Sequence, residues 1–123
     1  MVQASGLKAL IVEDEAGVAL LLEDMLTELG CEVVASIARL ERACEAAAAV
    51  DCDFAILDVN IGGSPVFPVA EILEARAIPF VFSTGYGAAG VAEPFQNRPI
   101  LSKPFPIEHL KDAIGRALSV CGK

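Results

Sequence analysis

Two neighbouring acids, Glu13 and Asp14, follow an apolar run near the start of this 123-residue sequence. A lone acid, Asp58, ends a second apolar run, FAIL, with Asn60 two residues further on. A hydroxyl, Thr84, ends a third run just before Gly85, and Lys103 ends a fourth just before Pro104. Carboxylates at close quarters repel one another unless a cation or raised pKa values relieve them. Mg2+ suits such a set, because it takes hard oxygen ligands, commonly few carboxylates with water and phosphate oxygens. A lysine and a hydroxyl beside one nucleophilic carboxylate would then complete a kit for phosphoryl transfer. That chemistry rests mostly on positioning and electrostatics.

Each piece also has an ordinary structural reading. An acidic pair after a strand suits the start of a helix and its dipole. An aspartate that ends a strand is a common turn residue, as is a threonine before glycine. A lysine before proline can simply be solvated. The chemical reading depends on all of them meeting at one place.

The elements around them allow that meeting. Leu7–Val12 reads as a first strand and Glu15–Leu29 as a helix. Its apolar face is Val18, Leu21, Leu22, Met25, Leu26 and Leu29, with Gly30 at the C-terminal cap position. A second strand, Glu32–Ser36, precedes an alanine-rich helix over Leu40–Val50. Phe54–Leu57 is a short, wholly apolar third strand and Val69–Ala77 a third helix. Pro79–Ser83 is a fourth strand, with proline only at its first residue, where it is tolerated. A short helix over 88–97, disturbed by Pro94, is the weakest element. Ile100–Ser102 is a fifth strand and Ile107–Cys121 the last helix. Alternating strands and helices predict an α/β fold, a doubly wound five-stranded parallel sheet of (βα)5 form. The flavodoxin-like strand order 2-1-3-4-5 is adopted. In such sheets ligands bind beyond the carboxyl ends of the strands, where all the polar residues above fall.

Bulk properties narrow the function classes. A 54% hydrophobic content argues against disorder, and no apolar run is long enough for a membrane helix. The start of the chain lacks the features of a secretory signal, so the cytoplasm is the expected location. Nine basic residues against seventeen acids, a net charge of −8, make a nucleic-acid-binding face improbable. Four cysteines, Cys31, Cys44, Cys52 and Cys121, show no C-x-x-C pair and read as small apolar residues. His109, the sole histidine, reads as structural or solvent-facing.

The runs LIVEDE, FAILDVNIGG, FVFSTGYG and ILSKPF together resemble the signature segments of response-regulator receiver domains of two-component signalling. The resemblance spans the chain from Leu7 to the last helix. It implies a phosphoacceptor at Asp58 and Mg2+ ligation by Asp14 directly, Glu13 through water, Asp58, and the main-chain carbonyl of Asn60. It also implies a switch hydroxyl at Thr84, a phosphoryl-pairing lysine at Lys103, and a cis Lys103–Pro104 bond. The implied partners are a sensor histidine kinase or a histidine phosphotransfer protein, and a downstream protein target. Such a phosphorelay component is a self-modifying switch rather than a turnover enzyme. The aromatic residue usual three places before the lysine is replaced by Ile100. FSTGYG resembles the FATGUY-type subgroup, many of them stand-alone, which makes Tyr86 the candidate replacement switch. A single receiver domain over 1–123, with no output domain, is expected.

Other classes remain in view. A receiver-like interaction module that is never phosphorylated usually lacks at least one of the residues present here. An aspartyl-phosphate phosphohydrolase wants a second acid two residues after the nucleophile, where Asn60 stands. A flavodoxin-like cofactor binder wants phosphate-binding donors after the first strand, where EDEAG would repel phosphate.

Overall fold

The computed structural model describes residues 6–85 and 98–121. Its elements are β1 (Lys8–Val12), α1 (Ala16–Glu28), β2 (Glu32–Ile37), α2 (Leu40–Ala49), β3 (Phe54–Asp58) and β4 (Asn60–Ile61). They continue with β5 (Ser64–Pro65), α3 (Phe67–Ala75), β6 (Phe80–Thr84), β7 (Ile100–Ser102) and α4 (Ile107–Cys121). The five-stranded sheet runs β2-β1-β3-β6-β7, and every neighbouring pair is parallel. Counting only these five strands, this is the expected 2-1-3-4-5 order. The expected helix over 88–97 lies outside the described residues.

Alternation along the strands builds two cores. Leu10, Val12, Ala55, Leu57, Phe80 and Phe82 face α2 and α3, where Ala43, Ala47, Val69, Ala70 and Leu73 meet them. Ala9, Ile11, Phe54, Ile56, Val81 and Leu101 face α1 and α4, against Leu22, Leu26, Leu110, Ala113 and Ile114. All of β3 and β6 is buried, as a sheet covered on both faces requires. Each fully buried Leu, Ile or Phe contributes about 1.5–3 kcal/mol.

Helix ends follow backbone rules. The α1 helix closes in a Schellman motif: Cys31 N–H donates to Leu26 O and Gly30 N–H to Thr27 O, with Gly30 at φ 89°. The buried face of α1 differs from the expected stripe. Ala19, Leu22 and Leu26 are buried, whereas Leu21 is 49% exposed. Leu21 lies about 100° round the helix from Leu22, past the edge of the face that meets the sheet.

The α3 helix starts two residues earlier than predicted, because Pro68 sits in its first turn, where proline costs no hydrogen bond. It ends at Ala75 with Arg76 as its cap, and the next residue, Ala77, is a non-glycine held at φ 60°. The two-residue hairpin β4–β5 was not expected. Gly62 and Gly63, both at positive φ, supply the backbone that a tight hairpin turn demands. Cys31 and Cys52 are buried and Cys44 half-buried, and their thiols are pushed up by burial. His109 is exposed. No helix among the described residues is long and apolar enough to cross a membrane.

Candidate functional site

Four strand ends converge at the carboxyl edge of the sheet. Glu13 follows β1 and is held there by its N–H, which donates to Ile37 O of β2. Asp58 is the last residue of β3, paired with Ser83 of β6. Thr84 ends β6, and its carbonyl accepts the Lys103 N–H at 2.9 Å, tying the two strand ends together. The Lys103–Pro104 bond is cis. Asp14, Asp58, Asn60, Thr84 and Lys103 line one cavity of about 590 Å³, together with Glu15, Val59 and Gly85.

The charges inside are tightly coupled. Lys103 Nζ lies 3.2 Å from Asp58 Oδ2 and 3.1 Å from Glu13 Oε1, with Glu15 Oε1 at 4.0 Å. This Glu13 oxygen is buried, and Lys103 is its ionic partner. The other Glu13 oxygen accepts the Glu15 N–H at 3.2 Å. Burial, and then the neighbouring Asp58, push the Glu13 carboxyl from 4.5 up to about 7. Burial works against the Lys103 charge, but Glu13 and Asp58 together outweigh it and raise the ammonium above its ordinary value. Asp58 Oδ1 accepts the Asn60 N–H at 3.3 Å.

Asp14 is exposed, and its Oδ2 accepts the Gly62 N–H at 2.8 Å. The hairpin glycine therefore orients an acid 48 residues earlier in the chain. Carboxylate oxygens of Glu13, Asp14 and Asp58 lie within 4.8 Å of one another. A buried carboxylate oxygen with no hydrogen bond, next to two more acids, is a donor set that fits a hard divalent cation.

The described candidate site residues Glu13, Asp14, Asp58, Asn60, Thr84 and Lys103 thus meet at one edge. Tyr86 lies outside the described residues. Ile100, at the position of the usual aromatic, is half-buried against the Phe80–Phe82 core. Sequence reasoning missed Glu15 and Gly62. The run Glu13-Asp14-Glu15 and the dipeptide Gly62-Gly63 were the signals available. The acidic pair is not the helix cap of its ordinary reading, since α1 is capped at Glu15 without a side-chain bond.

The family model described as response regulator receiver domain matches residues 9–115. The solution structure of SdrG from Sphingomonas melonis Fr1 is 40% identical, with a TM-score of 0.79 over 99% of this chain and 100% of that one. The receiver domain of the Erythrobacter litoralis PhyR response regulator is 27% identical, with a TM-score of 0.78 over 94% and 92%. PhyR of Brucella abortus is 27% identical with a TM-score of 0.79; 96% of this chain matches 50% of that protein. Among curated proteins none matches the sequence. Sheet order, strand-end residues and family match agree: the chain belongs to the response regulator receiver domain family.

Proposed function

We propose that this receiver takes a phosphoryl group onto Asp58 from a phosphohistidine of a sensor histidine kinase or a histidine phosphotransfer protein. The observation that carries the reading is the 3.2 Å approach of Lys103 Nζ to Asp58 Oδ2, beside two further acids within 4.8 Å. The Asp58 carboxylate is the nucleophile, with the Lys103 ammonium beside it. Its oxygen attacks phosphorus, the P–O bond forms and the P–N bond breaks. The imidazole leaves with the electron pair and takes a proton from solvent. Lys103, kept charged by its carboxylate neighbours, turns to a phosphoryl oxygen as negative charge accumulates there. Water later attacks the acyl phosphate, releases inorganic phosphate and restores the carboxylate.

Asp14, Asp58 and the Asn60 carbonyl would hold Mg2+, with Glu13 through water. The bound ion supplies neutralising charge between the carboxylates and the phosphoryl oxygens.

The modified aspartate carries new charge and strong acceptors beside Thr84. We assign the response to Thr84 and to Tyr86, because Ile100 offers no ring to turn. The output is altered contact with a downstream protein, and a cytoplasmic location suits that role. Incubation with Mg2+ and a small acyl phosphate tests the reading by intact mass. One added phosphoryl group, absent in Asp58→Asn and without Mg2+, supports it. No addition under any condition leaves an interaction module that works unphosphorylated.

A further inference from the structure

Ser83, the residue before Thr84, is 0% exposed, and its hydroxyl has no hydrogen-bond partner among the described residues. A buried hydroxyl without a partner is costly, and alanine would fill the same space without that cost. Ser83 stands opposite Asp58 in the β3–β6 register. Paired residues on neighbouring strands point to one face, about 5 Å apart. Glu13 and Lys103 share that face by the same alternation, since Val12 faces α2 and α3 while Leu101 faces α1 and α4. The hydroxyl therefore belongs to the face on which Lys103 bridges Glu13 and Asp58.

The ammonium has three N–H donors. Glu13 and Asp58 stand at 3.1 and 3.2 Å, and Glu15, at 4.0 Å, is out of hydrogen-bond reach. Phosphorylation takes the Asp58 oxygens out of this arrangement and draws the lysine to a new anion. Resting on the reading of Asp58 above, we propose that the Ser83 hydroxyl positions Lys103 in the phosphorylated state. It accepts a remaining ammonium N–H, directly or through one bridging water. A neutral acceptor holds the lysine without competing for it as a further carboxylate would. The Ser83 carbonyl already accepts the Val59 N–H at 3.1 Å, which locks its backbone to the residue after Asp58. Ser83 acts through Lys103 and is a positioning residue.

The test uses the full chain and Ser83→Ala. Phosphorylation by acetyl phosphate with Mg2+ is followed by intact mass, and thermal midpoints are compared. Exchange of the Lys103 ammonium protons is followed by NMR with beryllofluoride as the phosphoryl mimic. The expected result is about three- to tenfold slower phosphorylation, the scale of one hydrogen bond to a charged group, with no loss of thermal stability. Ammonium exchange in the mimic-bound state should quicken. An unchanged rate, or unchanged Lys103 exchange, overturns the Ser83 assignment while leaving Asp58 standing. Wild-type protein that takes no phosphoryl group removes the Asp58 reading, and the Ser83 assignment falls with it.

Discussion

Glu13 Oε1 lies 3.1 Å from Lys103 Nζ, yet its carboxyl is pushed up to about 7. Burial and the negative charge of Asp58 outweigh the lysine. An acid whose folded pKa is raised binds more protons folded than unfolded between about 4.5 and 7. Its stabilising contribution is therefore full below that window and lost as pH rises through it. In metal-free protein, Glu13→Gln should abolish a component of about 1–3 kcal/mol that otherwise declines between about pH 4.5 and 7. Thermal midpoints of both proteins across that range check this. A cation competes with the Glu13 proton, so Mg2+ should raise the midpoint more at pH 8 than at pH 6. A Mg2+ effect independent of pH contradicts the assignment.

Lys103 neutralises two of the three acids that would hold the cation. Removing it should strengthen Mg2+ binding while weakening phosphorylation. Lys103→Ala is expected to bind Mg2+ about tenfold more tightly, as one charge at close range would dictate. Titration calorimetry gives the affinity, and intact mass the phosphorylation. Weaker Mg2+ binding would count against the shared site.

Ala77 occupies the left-handed position just past the cap of α3, with its N–H donating to Glu74 O. A Cβ there is strained, and glycine is the usual residue. Ala77→Gly should stabilise the protein by about 0.5–1 kcal/mol after the entropy of glycine in the unfolded chain is counted. Urea unfolding measures it, and a loss of stability contradicts the strain.

The two faces of α1 should respond differently. Leu26 is fully buried and Leu21 is 49% exposed. Leu26→Ala should cost about 2–5 kcal/mol, and Leu21→Ala within about 0.5 kcal/mol of nothing. Equal losses in urea unfolding would contradict the packing of that face.

Much of this was legible beforehand for physical reasons. Wholly apolar runs such as FAIL mark strands covered on both faces, and strand-end polar residues in a parallel sheet must share an edge. Asp58, Glu13, Thr84 and Lys103 therefore met without any knowledge of contacts. The exposure of Leu21 was not legible, because the width of a buried stripe depends on what packs against it. The left-handed Ala77 gives no compositional signal. The hold of Gly62 on Asp14 joins residues 48 apart, and only the folded hairpin creates it. The raised carboxyl of Glu13 depends on a buried neighbour that spacing cannot reveal. The orphaned hydroxyl of Ser83 needed a hydrogen-bond account of the finished fold.

Chemical trapping tells which carboxylate becomes the acyl phosphate. Borohydride reduces an acyl phosphate to an alcohol and so marks the acceptor permanently. Protein treated with acetyl phosphate and Mg2+, then reduced and digested, should carry the mark at Asp58 alone. A mark at Glu13 or Asp14, or none beside a donor shown to be active, contradicts the account.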